Sequence, residues 1–369
     1  MLGDNTKAKE TFSDIRTQFI EIEYKLGAAQ CLLVLGDISR VELNLTEAEQ
    51  MFHQAKTEFQ QIDDKMGVSQ SLNILGDITY RMGKYTEAEK ILKEAYIYLQ
   101  EVGEKLTTAQ CLQCLGEVQW KLQNYSEAQK YLNDARSIFL EIEQKSDAAI
   151  SMCLKTLGRD QAALGNFSDA ESTIKEAVTQ FQAIDEKNGV AECIYILGDI
   201  SRMSGNGLEA KKTVSEAMTL FQNLGNENEV ARCIRNLGNI EQMLGNHDTA
   251  KERFFDSKEK FQKLNNKFEV AQCSHSLGNT ERVLGNYSIA TALLEEALDI
   301  FEKESYIMGT AQCLMSLGDI HCQCGDYIKA EEALVKASKD FQDLGSKLPL
   351  AECLLSLGNV ALKQEKWTE

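Results

Sequence analysis

The chain has 369 residues, 43% of them apolar and 26% charged, with a formal net charge of -18 at pH 7. That charge argues against phosphate backbones and anionic membranes as partners, since both require a positive surface. A single proline, Pro349, in so long a chain points to helix throughout, because loops and sheets normally use more.

In chain order, residues 1–23 read as one helix, with Thr6 as its N-cap and Ala8 and Phe12 on its buried stripe. Nine Leu-Gly pairs then follow, at Gly36, Gly76, Gly116, Gly158, Gly198, Gly238, Gly278, Gly318 and Gly358. Seven of the eight intervals are 40 residues and one, Gly116 to Gly158, is 42. A period of that size means stacked helix pairs, none able to bury its apolar face alone. The expected organisation is one array over 1–369: a half repeat at 1–23, eight full repeats over about 24–345, and a terminal helix at 346–369. Neither end carries a polar capping element, so the chain is expected to be a fragment of a longer protein or to have its ends covered by a partner.

The repeat beginning at Met66 shows how each unit works. Leu72, Leu75, Ile78 and Met82 recur at helical spacing and form the stripe of a first helix, A. Gly76 sits inside it at a cost of about 1 kcal/mol relative to alanine, which implies that another helix approaches there. Gly83 closes helix A. Thr86 and Glu89 read as a capping box for a second helix, B, as do Thr46 with Glu49, Ser126 with Gln129 and Ser168 with Glu171. Ala88, Leu92, Ala95 and Leu99 form the buried stripe of B. A ring nine residues after the glycine (Tyr85, Tyr125, Phe167, Tyr287, Tyr327, Trp367) plugs the corner between A and B. Repeat four is irregular: it carries the two-residue insertion before Cys153, Arg159 at an otherwise acidic or amide position, and Asp160 where others have Ile or Val. This reads as a local bend or a break in recognition.

Eight of eleven cysteines lie five residues before a repeat glycine: Cys31, Cys111, Cys153, Cys193, Cys233, Cys273, Cys313 and Cys353. Recurring once per repeat, they are small packing residues, and equivalent positions roughly 10 Å apart on neighbouring helices are too far apart for disulfides. So many thiols favour a reducing, cytoplasmic compartment. Cys111 with Cys114, and Cys322 with Cys324, lack the second pair that a zinc site needs. His53, His247, His275 and His321 have no metal-binding spacing, and no phosphate-binding glycine loop occurs. No nucleophile, base and orienter can be assembled, so the chain is expected to be no enzyme, with no cofactor and no metal. Sequons at Asn44, Asn124, Asn166 and Asn286 all come from the A–B loop. With no signal peptide and no membrane-length apolar run, they are products of loop chemistry.

Leu75, Gly76, Ala88, Leu92 and Ala95 show the full pattern of the tetratricopeptide repeat, which the chain resembles along its length. The 40-residue repeat is similar to those of Pins/LGN-type adaptors, kinesin light chains and the C-terminal arrays of nucleotide-binding signalling proteins. The proline that often closes a repeat is missing. The resemblance implies an all-α, right-handed α-solenoid superhelix. Its concave groove, lined by the A helices, would bind an extended peptide or protein segment.

In that fold the groove-facing residues lie near -6, -3, +1 and +4 from the glycine. The +1 ladder includes Asp37, Asp77, Glu117, Asp199, Asn239, Asn279 and Asp319, with Arg159 in repeat four. Tyr80, Trp120, Arg202 and Arg282 lie on the same face, with Tyr195 and Arg235 at -3. Carboxylates accept and amides both donate and accept, which suits a partner of basic or amide-rich character. A competing reading is intrahelical neutralisation, since Arg40 and Arg202 follow Asp37 and Asp199 at three residues. Two functions fit the pattern: an interaction scaffold, or the ligand-sensing array of a larger nucleotide-binding signalling protein. Neither involves nucleic acid or membrane.

Overall fold

The computed structural model describes residues 2–42, 44–142, 147–304, 306–344 and 346–365. Trp367 and the inserted segment at 143–146 lie outside them. The described residues form helices and no strand, as the single proline implied. In order the helices are α1 (Leu2–Glu21), α2 (Lys25–Val41), α3 (Leu45–Gln61), α4 (Lys65–Arg81), α5 (Tyr85–Val102), α6 (Lys105–Lys121), α7 (Tyr125–Glu141), α8 (Asp147–Ala163) and α9 (Phe167–Ala183). Then come α10 (Lys187–Met203), α11 (Gly207–Asn223), α12 (Glu227–Met243), α13 (His247–Lys263), α14 (Lys267–Val283), α15 (Tyr287–Lys303), α16 (Ile307–Cys324), α17 (Tyr327–Asp343) and α18 (Lys347–Glu365). Even-numbered helices are A helices and odd-numbered ones are B helices. The chain forms two compact units, Met1–Cys193 and Ile194–Glu369, divided within α10.

Each B helix from α3 to α17 buries the four-residue stripe read from sequence, whereas Ala8 and Phe12 on α1, expected on a buried stripe, are only half-buried because no described helix packs before α1. Ala88, Leu92, Ala95 and Leu99 are fully buried, as are Ala330, Leu334, Ala337 and Phe341. The repeat glycine explains how A and B come so close. A methyl group at Gly116 would lie 2.5 Å from Leu132 Cγ, and one at Gly198 would lie 2.5 Å from Val214 Cγ2. The last stripe position uses a second notch that the period did not reveal: Gly189 and Gly309 admit the rings of Phe181 and Phe301.

Turns follow a similar economy. Gly83, Gly165, Gly205, Gly245, Gly285 and Gly325 all have positive φ, seven residues after their repeat glycine, and Gln123 adopts the same conformation at that place. Tyr287 and Tyr327 are half-buried against the cores, as a corner plug requires.

The capping residues differ from the expectation. Thr86 lies inside α5, and Thr46, Ser126 and Ser168 likewise lie inside their helices. The N-caps are Asn44, Asn124, Asn166, Asn206 and Asn286, two residues earlier where a Ser or Thr follows. Asn206 Oδ1 accepts from the Glu209 N–H at 3.4 Å, and Asp326 does the same for Lys329 at 3.3 Å. Glu89 meets Lys93 and Gln119 rather than a cap N–H. Thr6 is not a cap either, because α1 already begins at Leu2.

Within the first unit α2, α4, α6 and α8 each pack on their own B helix and on the preceding B helix, and neighbouring A helices also touch: α2 meets α4, α4 meets α6 and α6 meets α8. The second unit repeats this, with α12 on α14, α14 on α16 and α16 on α18. Successive B helices are joined instead by long side chains, through Lys56–Glu94 at 2.8 Å, Arg136–Glu176 at 2.7 Å and Lys258–Glu296 at 2.7 Å. A helices that touch, beside B helices that need bridges, leave the A side of each unit as a continuous wall.

The eight cysteines before the repeat glycines are buried and free. Cys111 and Cys353 donate to the carbonyls of Leu92 and Leu334 on the preceding B helix, at 3.3 and 3.2 Å. Burial pushes the Cys111 thiol up to about 12, so it stays protonated and unreactive.

Candidate functional site

The wall residues named from sequence all sit on A helices, partly exposed, in the described part of the chain. In the first unit the acidic positions have local partners. Arg40 Nε donates to Asp37 Oδ1 at 3.0 Å, and Arg81 Nε donates to Asp77 Oδ2 at 2.9 Å. Glu117 accepts from Gln113 at 3.3 Å. Burial raises the pKa of Glu117, and Asp77 reinforces the shift while Lys155 and Arg159 oppose it. Tyr80 faces Glu117 and Arg159, and burial holds its phenol well above the usual range.

Repeat four brings a cation onto this wall. The Arg159 guanidinium carbon lies 3.8 Å from the Trp120 ring centroid, and Lys121 Nζ lies 5.0 Å from it. Such stacking contributes about 0.5–1 kcal/mol when exposed and more when dry. Lys155, which the sequence reading did not single out, is buried and donates to Glu192 Oε2 at 2.5 Å. Two groups here are buried without a partner: Trp120 Nε1, a donor, and Asn73 Oδ1, an acceptor.

The second unit's wall is richer in arginine and amide groups. Asp199 Oδ1 accepts from Arg202 Nε at 2.8 Å and from Asn236 Nδ2 at 3.4 Å. Arg232 reaches Glu229 at 2.9 Å and stands 5.5 Å from the Tyr195 ring centroid. Arg235 pairs with Glu269 at 2.9 Å, and Arg282 with Asp319 at 3.5 Å. Asn239 is half-buried on the same face. Asn279 Nδ2 and His275 Nε2 lie 3.0 Å apart. Burial, then Arg282 and Arg235, push His275 down to about 4, so the ring is neutral near pH 7. The Oδ1 atoms of Asn236 and Asn279 are buried without a donor. Asn236 is a second residue missed from sequence. The signal available for it and for Lys155 was a polar side chain facing the apolar seam of an A helix.

The acidic ladder is therefore mostly ion-paired inside its own wall, and the unsatisfied groups include the amide oxygens of Asn73, Asn236 and Asn279 and the indole of Trp120, beside single atoms of Arg232, Glu269 and Arg282. Unpaired buried polar groups are unusual and each invites a ligand group or water. Among the described residues no group of three or more His, Cys, Asp or Glu could hold a metal ion. No described helix is long and apolar enough to cross a membrane.

A tetratricopeptide repeat model matches residues 67–141 and 107–183, and a second one matches 270–304. These stretches are tetratricopeptide repeats. Among solved structures it is similar to the Rap conjugation gene regulator of plasmid pLS20 in complex with the Phr* peptide. That match has 13% identity, covers 92% of this chain and 96% of that one, and has a TM-score of 0.64. It is also similar to aspartyl phosphate phosphatase F from Bacillus subtilis, at 12% identity, 93% and 95% coverage and a TM-score of 0.62. A third is a signal transduction ATPase with numerous domains, bearing a tetratricopeptide repeat sensor, from Pyrococcus horikoshii. It shares 16% identity over 95% of this chain and 55% of that one, with a TM-score of 0.56. At these identities the likeness concerns the fold. No curated protein matches the chain in sequence.

Proposed function

We propose that this repeat protein is a non-enzymatic interaction scaffold whose A-helix wall holds an extended peptide or protein segment. The observation that carries this reading is the set of buried, unpartnered wall groups: Asn73 and Trp120 in one unit, Asn236 and Asn279 in the other. A peptide backbone offers a donor and an acceptor at every residue and satisfies such groups whatever its sequence. Pairing of Asp37, Asp77, Asp199 and Asp319 with arginines weakens the pull on a basic partner and shifts the preference toward main-chain and amide groups. The peptide-bound Rap conjugation gene regulator among the similar structures fits this reading.

The second reading, a sensing array within a larger nucleotide-binding signalling protein, is favoured by the match of nearly the whole chain to part of the Pyrococcus sensor protein. Both readings use the same wall. The test is selection of a random peptide library on the full chain and on two variants. One carries alanine at Asn73, Asn236 and Asn279, and the other carries alanine at the exposed B-helix residues Ile97 and Val335. Peptides retained by the B-helix variant and lost by the amide variant are expected. Peptides retained equally by all three would move binding off the wall.

A further inference from the structure

Asp160 lies on α8, two residues after the repeat glycine Gly158. Seven of the other eight repeats carry Ile or Val at this place, and one carries Thr280. Ile78, Val118, Ile240 and Thr280 are fully buried there, and so is Asp160. The side chain at this position packs against the preceding repeat, as Ile78 does against Ala48 and Phe52. Thr280 spends its hydroxyl proton on the carbonyl of Ser276 at 2.9 Å. Asp160 has no such outlet: both of its carboxyl oxygens are buried without a hydrogen-bond partner.

We propose that Asp160 makes the packing of α8 against α7 in the first unit sensitive to pH, tight when its carboxyl is protonated and loosened when it ionises. An unpaired carboxylate in an apolar interface is strongly disfavoured, so the group holds its proton instead. Burial accordingly raises its pKa to about 8, with Arg159 pulling the other way. The titratable groups facing it are Arg159 on α8 itself and Tyr125 at the start of α7, whose own phenol is raised by burial and by Asp160. From α6 and α9, also packed on α8, no charged group bears on it among the described residues. Because Arg159 is the next residue and stacks on Trp120, loosening α8 reaches the wall.

The sign follows from the two states. In the unfolded chain the carboxyl titrates near 4, roughly the ordinary aspartate value. In the folded chain it titrates higher, so between these values the folded state holds the extra proton. The stabilisation is complete below about pH 4 and is lost as pH rises to about 8, roughly tenfold in the local folded-to-unfolded ratio per pH unit.

The test is hydrogen exchange of α8 amides in the full chain, corrected for intrinsic rates, in the wild type, Asp160→Asn and Asp160→Ile. Protection in the wild type is expected to fall about a hundredfold more than in either variant between pH 5 and pH 7. Amides of α14 in the second unit serve as the internal reference and should show no such difference. The carbon-13 carboxyl resonance of Asp160, assigned by its loss in Asp160→Asn, should titrate near pH 8. Identical pH slopes in wild type and variants, or a carboxyl midpoint near 4, would overturn the proposal. Asp160→Ile restores the residue type of the sister repeats, so a folded comparison remains if the amide variant fails to fold.

Discussion

Gly116 has no room for a methyl group, and Gly358 has ample room. The first would press a Cβ onto Leu132, while nothing lies within 4 Å of a Cβ at the second. Both sit in helices, where alanine is favoured over glycine by up to about 1 kcal/mol. Gly116→Ala should therefore destabilise the first unit by about 1–3 kcal/mol, the usual range for overpacking. Gly358→Ala should be neutral or stabilise by up to about 1 kcal/mol. Chemical denaturation of the two variants checks this, and equal effects would contradict the close-approach role of the repeat glycine. Much at this scale was legible, because a residue that recurs at each period must do the same job each time. The Leu-Gly pairs, the alanines and the cysteines could all be placed that way. The pairings of Asp37 with Arg40 and Asp199 with Arg202 followed from three-residue spacing. The orphaned amides of Asn73 and Asn236 could not be read, since satisfaction of a hydrogen bond depends on side chains from neighbouring repeats.

The elements themselves were well placed, and the ends of the B helices were the exception. The Ser/Thr-x-x-Glu/Gln pattern suggested caps at Thr46, Thr86, Ser126 and Ser168, yet an Asn holds the N-cap position two residues earlier in three of these four helices, and in α3 its side chain accepts from the Glu47 N–H. Two valid cap signals stood within one turn. The αL residue that closes helix A fixes where the chain turns, and that decided between them. Asn206→Ala should cost about 1 kcal/mol, because Asn206 Oδ1 accepts from the N–H of Glu209. Thr86→Ala, inside α5, should cost no more than a few tenths and gains helix propensity. A paired thermal melt of the two variants measures this. A larger loss at Thr86 would restore the capping box.

At the scale of the whole molecule, the period identified a helical repeat array before any coordinates, because only stacked helix pairs explain glycine and alanine at fixed places in every copy. The division into two compact units at Cys193 left no comparable mark, since Gly198 follows Gly158 at the ordinary 40 residues. In each unit stability is a sum over repeats and their nearest-neighbour contacts. A defect such as Gly116→Ala should thus lower hydrogen-exchange protection most in α6 and α7 and progressively less toward α2. A uniform loss across the unit would instead mean all-or-none unfolding.

The A-helix wall of each unit carries unsatisfied amide oxygens and aromatic rings, Asn73 and Trp120 in the first and Asn236, Asn279 and Tyr195 in the second, and the partner is expected there. A photocrosslinking residue placed at Trp120 or Tyr195, and separately at Ile97 or Val335 on B helices, reads this directly. Crosslinks to one protein or peptide segment from the two wall positions, and none from the B-helix positions, are the predicted result. Crosslinks from the B-helix positions alone would contradict recognition through the A helices.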